Sequence, residues 1–254
     1  MTEHRTDRAA RAWIRSMALF ARTQPGGYYR EGPAGTAELI TAAPMPLLNG
    51  VIGIAAEPDP GEIAEFTGSE RLTAVAWSIQ VRGERVADPI TATAAAHGLT
   101  QRMHLPFMLK DLDTRDTREP AGDVEVRRIS SVDSELYRTT MAAGYEGPDP
   151  LFAAFARPSV LDHPTMRAYV AEVGDTPVAT SLGVLVDDLV GVFNIGVPPQ
   201  FRRRGHGRAA TAAVLREAYA LGARTAFLHA SPLGVQLYEE MGFGHAETWT
   251  LFTA

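Results

Sequence analysis

The stretch QFRRRGHGRA, residues 200–209, decides the reading of this chain. It follows the paired prolines Pro198 and Pro199 and runs at once into a helical pattern, with Ala210, Val214, Ala218 and Leu221 on one face and Gly222 past the end. Leu189 to Val197, just before the prolines, is an apolar, β-branched run that reads as a strand, ended where proline cannot donate to a ladder. A glycine-containing turn between a strand and a helix presents unpaired backbone N–H groups and the positive end of the helix dipole, which suits phosphate. Arg202, Arg203 and Arg204 add cations that an anion with several phosphates can use. Taken alone, the loop also admits the reading of a solvated basic turn.

Outward from this loop, the chain alternates strand and helix signals. Downstream, Thr225 to His229 reads as a buried strand and Ser231–Pro232 as the start of a helix. LYEEMGF (237–243) ends that helix at Gly242, and Ala246 to Phe252 reads as a last strand. Upstream, Val124, Val126 and Ile129 alternate as a strand, and a helix is expected from Val132 to Ala143. Pro148 and Pro150 precede a short aromatic helix holding Phe152 and Phe155. Ala168 to Glu172 and Val178 to Val186 form an expected hairpin turning at Gly174–Pro177, and Asp187–Asp188 turns into the strand before the loop. The polar segment Thr114 to Gly122 is the candidate boundary, dividing the chain into 1–118 and 119–254.

Composition narrows the chemistry. A chain of 254 residues has room for one large domain or two small ones. Cysteine is absent, which removes disulfide scaffolds, thiolate metal sites and cysteine nucleophiles. The net charge of −6 argues against general nucleic-acid binding. Lys110 is the only lysine, and the arginine and alanine enrichment reads as nucleotide bias in the genome. No apolar run of about 18 residues is present to span a membrane, and no secretory core opens the chain, so the expected address is the cytoplasm. Trp13, Met17 and Phe20 instead mark an amphipathic helix packed on the protein itself. The histidines lack metal spacing, and neither a His-Glu-x-x-His nor a Gly-x-Ser-x-Gly motif occurs, so no metal and no serine-hydrolase chemistry is expected.

The order of strand, RRRGHGRA loop, helix, strand and LYEEMGF resembles the GNAT family of coenzyme A-dependent N-acetyltransferases. Arg202, Gly205 and Gly207 fit the family's (Arg/Gln)-x-x-Gly-x-(Gly/Ala) motif, and Leu237 to Phe243 its Leu-Tyr-Glu-x-x-Gly-Phe tail. The resemblance covers about residues 122 to 254. It implies an α/β (α+β) GNAT fold, a mixed and mostly antiparallel sheet flanked by helices. It assigns the coenzyme's pyrophosphate to backbone groups of Arg203, Arg204, Gly205, His206, Gly207 and Arg208 after Arg202, and the pantetheine arm to Ile195, Gly196 and Val197. Ser231 stands where the family often has asparagine, which weakens that contact. Tyr238 is implied as the acid that protonates the departing thiolate; the alternative for its ring is half-buried core. The strand 189–197 has no carboxylate at its middle, where some members place a glutamate. Its one polar side chain, Asn194, cannot act as a base. His229 and Glu172 are candidate bases, each with a structural reading beside it.

The implied activity is transfer of acetyl from acetyl-CoA to a primary amine of a small molecule or peptide by direct attack with both bound. A homo-oligomer stays open. The competing class is a non-catalytic acyl-CoA-binding sensor or structural pseudoenzyme, with a nucleic-acid-binding module third. Tyr145 to Phe155 and His163 are candidates for the acceptor side. The first half carries a fainter echo of the same plan, with an apolar run Leu48 to Ala55, a strand Leu72 to Ile79, a helix Asp88 to His97, Gly98–Leu99, and a closing strand near Met108. In place of RRRGHG it has the acidic EPDPGEIAE (57–65), which repels phosphate. The echo suggests a degenerate GNAT-like copy; an unrelated α/β cap is the other reading.

Overall fold

The computed structural model describes residues 4–117 and 123–254. In chain order the elements are α1 (Arg5–Arg22), β1 (Tyr28–Glu31), β2 (Thr36–Ile40), β3 (Gly50–Gly53), α2 (Pro60–Thr67), β4 (Ser78–Arg82), α3 (Asp88–Ala96) and β5 (Gln101–Asp111). They continue with β6 (Val124–Arg128), α4 (Ser134–Tyr145), α5 (Pro158–Leu161), β7 (Met166–Val173), β8 (Thr176–Val186) and β9 (Leu189–Gly196). After these come α6 (His206–Ala220), β10 (Thr225–His229), α7 (Val235–Glu240) and β11 (Gly244–Thr253).

These elements sort into two compact units that interleave along the chain. Residues up to Leu109 join His229–Glu239 and Gly244–Ala254 in the first, and Lys110–Leu228 joins Glu240–Phe243 in the second. The segment expected to form the second domain is therefore divided between the units. The expected boundary between 118 and 119 lies outside the described residues.

Both units are mixed sheets flanked by helices, and both use the same local plan. In the first, β1, β2 and β3 form an antiparallel meander, and α2 crosses to β4, which pairs parallel with β3. In the second, β7, β8 and β9 form the meander, and α6 crosses to β10, parallel with β9. β6 adds antiparallel to β7 at the edge. The echo read in the sequence is thus a shared topology. The first unit is completed from the far end of the chain, because β11 lies between β4 and β5 and is antiparallel to both.

Several expected boundaries move. The strand expected over 72–79 is replaced by a tight turn at Glu70–Ala74, in which Leu72 is buried, and the strand itself is Ser78–Arg82. Burial of one leucine in a turn imitates a strand signal. Phe152 and Phe155 sit in 3₁₀ turns spanning Asp149–Ala156, and the helix expected from Ser231–Pro232 begins at Val235.

The core of the first unit shows how distant segments are tied. Trp13, Met17 and Phe20 of α1 are all buried, as their spacing predicts. The Trp13 ring meets His229 and Trp249, with centroids 5.2 and 5.0 Å away, and Phe107 closes the box 4.9 Å from His229. Nearby, buried Arg82 donates to both Glu247 oxygens, at 2.8 and 2.9 Å, and pairs with Asp7. Glu247 also accepts from the Trp249 indole. Removing Arg82 would leave the mostly buried Glu247 carboxylate without its cation, a cost of about 3–5 kcal/mol.

His229 is aromatic filling here. Its Nε2 is buried with no hydrogen-bond partner among the described residues, and burial pushes its pKa down to about 3. In the unfolded chain it titrates near 6.5. Between those values the unfolded state binds the extra proton, so stability falls as pH drops from 6.5 toward 3. The loss of stability between pH 7.5 and 4.5 should shrink by about 2–3 kcal/mol in His229→Phe. Urea unfolding followed by tryptophan fluorescence measures this, since Trp13, Trp77 and Trp249 all belong to the first unit.

Candidate functional site

β9 is where the second unit departs from a regular sheet. It pairs with β10 only through Leu189, Val190 and Gly191. On its other side, Leu182 faces Phe193 and Thr180 faces Gly196, so Asn194 and Ile195 oppose the single residue Ser181. This bulge puts Asn194 in the left-handed region, at φ 55°, a conformation asparagine tolerates better than most residues. The Thr180 hydroxyl donates to the Asn194 carbonyl at 2.9 Å. Asn194 Nδ2 reaches the hydroxyl of Tyr137, which is fully buried and held protonated by that burial. Asn194 is therefore part of the bulge's scaffold. From Phe193 to Val197 the edge of β9 that had faced β10 has no strand partner in this unit.

The loop then brings the chain into α6. Arg203 and Gly205 both have positive φ, 63° and 85°. Gly205 is the N-cap, and no side chain caps the helix. The first-turn amides of a helix have no intrahelical acceptor, so those of His206, Gly207 and Arg208 face outward at the positive end of a 15-residue helix. Arg203, Arg204 and Gly205 are exposed, and Arg203 and Arg204 make no ion pair among the described residues.

The three arginines have different duties. Arg202 turns back into the fold: its Nε donates to the Val197 carbonyl and its Nη2 to that of Gly144, both at 3.0 Å, and it pairs with Glu146 at 2.6 Å. It pins the loop to the C-terminus of α4 and the end of β9. Their backbones approach closely there, since a Cβ on Gly144 would come within 2.7 Å of Gly196. Arg204 and His206 line a cavity of about 410 Å³ with Asp123, Val124, Val178 and Phe201. His206 is buried, and burial together with Arg204 lowers its pKa. Arg208 pairs with Glu240.

Other candidates find structural partners. Glu172 accepts from Arg127 at 2.8 Å. Phe152 and Phe155 are buried, whereas Tyr145 is about half exposed, with its ring against Gly196 and 5.6 Å from Phe152. His163 Nδ1 accepts from the Thr165 amide. Lys110 donates to the Met241 carbonyl at 2.7 Å and pairs with Asp116, which secures the end of the tail motif.

Ile195, Gly196, Val197 and the loop 202–208 thus come together in the second unit. Ser231 and Tyr238 belong to the first. Ser231 is exposed, and its carbonyl accepts from the amides of Gly234 and Val235. Tyr238 is buried, with its ring beside Gly234.

The sequence profile of the acetyltransferase (GNAT) family matches residues 130–243. Those residues match as a GNAT domain. Solved structures share the fold at low identity. A GCN5-related N-acetyltransferase from Kribbella flavida aligns over 99% of this chain and 96% of its own, with TM-score 0.69 and 18% identity. A conserved protein of unknown function from Staphylococcus epidermidis aligns over 89% and 93%, with TM-score 0.65 and 16% identity. No curated protein sequence matches the chain. Among the described residues, no helix is long and apolar enough to cross a membrane, and no group of side chains is arranged to hold a metal ion.

The bulge and the latch of Arg202 are what the sequence reading missed within the GNAT domain. Neither has a local pattern; Gly144 and Glu146 lie more than fifty residues from Arg202. Arg202→Ala should lower stability by about 1–2 kcal/mol by stranding two carbonyls and Glu146. Arg203→Ala should change it by less than about 0.5 kcal/mol. Denaturation midpoints of the two variants check the difference.

Proposed function

We propose that the GNAT domain holds an acyl-coenzyme A donor and that the protein transfers its acyl group, acetyl in the first instance, to a primary amine. The observation that carries this reading is the pairing of an uncapped α6 N-terminus with the unladdered edge of β9 directly before it. Amides of the loop suit a pyrophosphate, and the backbone of Ile195, Gly196 and Val197 suits an extended arm bearing amide groups. Arg203 and Arg204 complement the phosphate charge, while Arg202 positions the loop. The coenzyme supplies an activated thioester carbonyl.

Direct attack by the amine forms the C–N bond and breaks the C–S bond, leaving a thiolate that takes up one proton. Tyr238, the tyrosine of the LYEEMGF motif, is the proposed donor of that proton. The proton lost by the amine passes to water, since Glu172 is held by Arg127 and burial leaves His229 a very weak base. The absence of cysteine supports direct transfer over an acyl-enzyme.

Gly205→Val tests the donor site. Open space surrounds Gly205, so the substitution acts through backbone strain: a β-branched residue resists φ 85°. Coenzyme A affinity should fall at least tenfold by calorimetry, and unaltered affinity would refute the phosphate site. Initial-rate lines with acetyl-CoA and an amine should intersect; parallel lines would count against direct transfer. Tyr238→Phe should lower kcat by roughly 10²–10⁴-fold with coenzyme affinity nearly unchanged.

A further inference from the structure

We propose that Phe193 limits the length of the acyl chain the donor site accepts. The inference rests on the donor reading above and extends it from the coenzyme to the acyl group.

The gap between β9 and β10 has a closed end. Gly191 faces Phe227 in the last register pair, and Phe193 is two residues further along β9. Strand alternation puts both on one face. That face is the one away from α6: Gly183, whose added Cβ would meet Val214 of α6 at 2.8 Å, is the register partner of Val192.

The Phe193 ring is folded back over the strand. A Cβ on Gly191 would lie 2.4 Å from Phe193 Cε2 and 2.8 Å from the Phe227 ring. Only glycine leaves room there for both rings. They meet edge to face, with centroids 6.3 Å apart and planes at 86°. The backbone of Gly191 lies beneath the Phe193 ring and Phe227 beside it, so the ring is backed on those two sides. Its residue is nevertheless only partly buried, which leaves a surface of the ring facing open space.

An extended molecule anchored at the loop and laid along β9 from Val197 toward the closed end covers about 13 Å before it meets Phe193, at about 3.3 Å per residue. Its far end carries the acyl group. On this placement the acyl group is the part of the donor nearest the ring, so a two-carbon chain makes the least demand on it. Each further methylene meets a ring backed by Gly191 and Phe227, and misfits of this size are worth roughly tenfold or more per methylene.

The test measures binding as well as turnover. Dissociation constants for free coenzyme A, acetyl-CoA and hexanoyl-CoA are measured by calorimetry on wild type, Phe193→Ala and Phe193→Leu, alongside kcat/KM for the two acyl donors. Wild type should favour acetyl-CoA over hexanoyl-CoA. Phe193→Ala should shift that ratio toward hexanoyl-CoA by at least tenfold in Kd and in kcat/KM, with the Kd of free coenzyme A unchanged. Phe193→Leu should fall between, and it keeps an apolar plug if alanine disturbs the strand. An unchanged ratio in both variants, with free coenzyme A still bound, overturns the role of Phe193 and leaves the donor site standing. Failure of wild type to bind free coenzyme A overturns the donor reading and this inference with it.

Discussion

Hydrogen bonding between β9 and β10 stops at Gly191, and most of the chemistry assigned to the second unit follows from that stop. A parallel pair normally satisfies every backbone group on its shared edge. Here the bulge at Asn194 and Ile195 bends β9 while β8 continues to hold it, so one edge keeps its ladder and the other is released. Unpaired backbone in a sheet is costly unless something completes it. The scaffold carries that cost through Tyr137, Thr180 and the latch of Arg202, all of which brace β9 from the paired side or from its end.

The two halves treat the same structural opportunity in opposite ways. Each has a meander, a loop and a helix leading to a parallel strand. At α2 the helix N-terminus is closed by the chain's own carboxylates: Asp59 accepts from the Glu62 amide at 2.7 Å, and Glu62 itself takes the amides of Ala34 and Thr36. Pro60 removes a further donor. At α6, glycine replaces the cap and arginines replace the acids. A capping aspartate contributes about 1 kcal/mol to a helix, so the second unit forgoes local stability and keeps its amides available to an external anion. The first unit holds its carboxylates against its own amides, so α2 offers an external anion no comparable opening.

Much of this was legible in the sequence where the signal is local. Gly205 and Gly207 after two prolines, and the spacing of LYEEMGF, pointed to the loop and the family because turn and cap geometry is written within a few residues. The strand expected at 72–79 is displaced because Leu72 is buried by tertiary packing in a turn, a pattern that periodicity shares with a strand. Arg202 read as a phosphate ligand because its type fits, whereas its bonds run to Gly144 and Glu146, partners that only folding brings near. The role of Asn194 lies in its backbone φ of 55°, which the amide side chain alone does not announce.

The position of β11 bears on how the chain is made. A ribosome releases the N-terminal residues first, yet the sheet of the first unit has a gap between β4 and β5 until Gly244–Thr253 has emerged. During most of synthesis, the facing edges of β4 and β5 lack their middle strand, and Trp13 and Phe107 await Trp249. The first half to be translated is therefore the last to be finished. A chain cut before Gly244 would carry an open sheet edge, the kind of surface that chaperones hold and proteases clear.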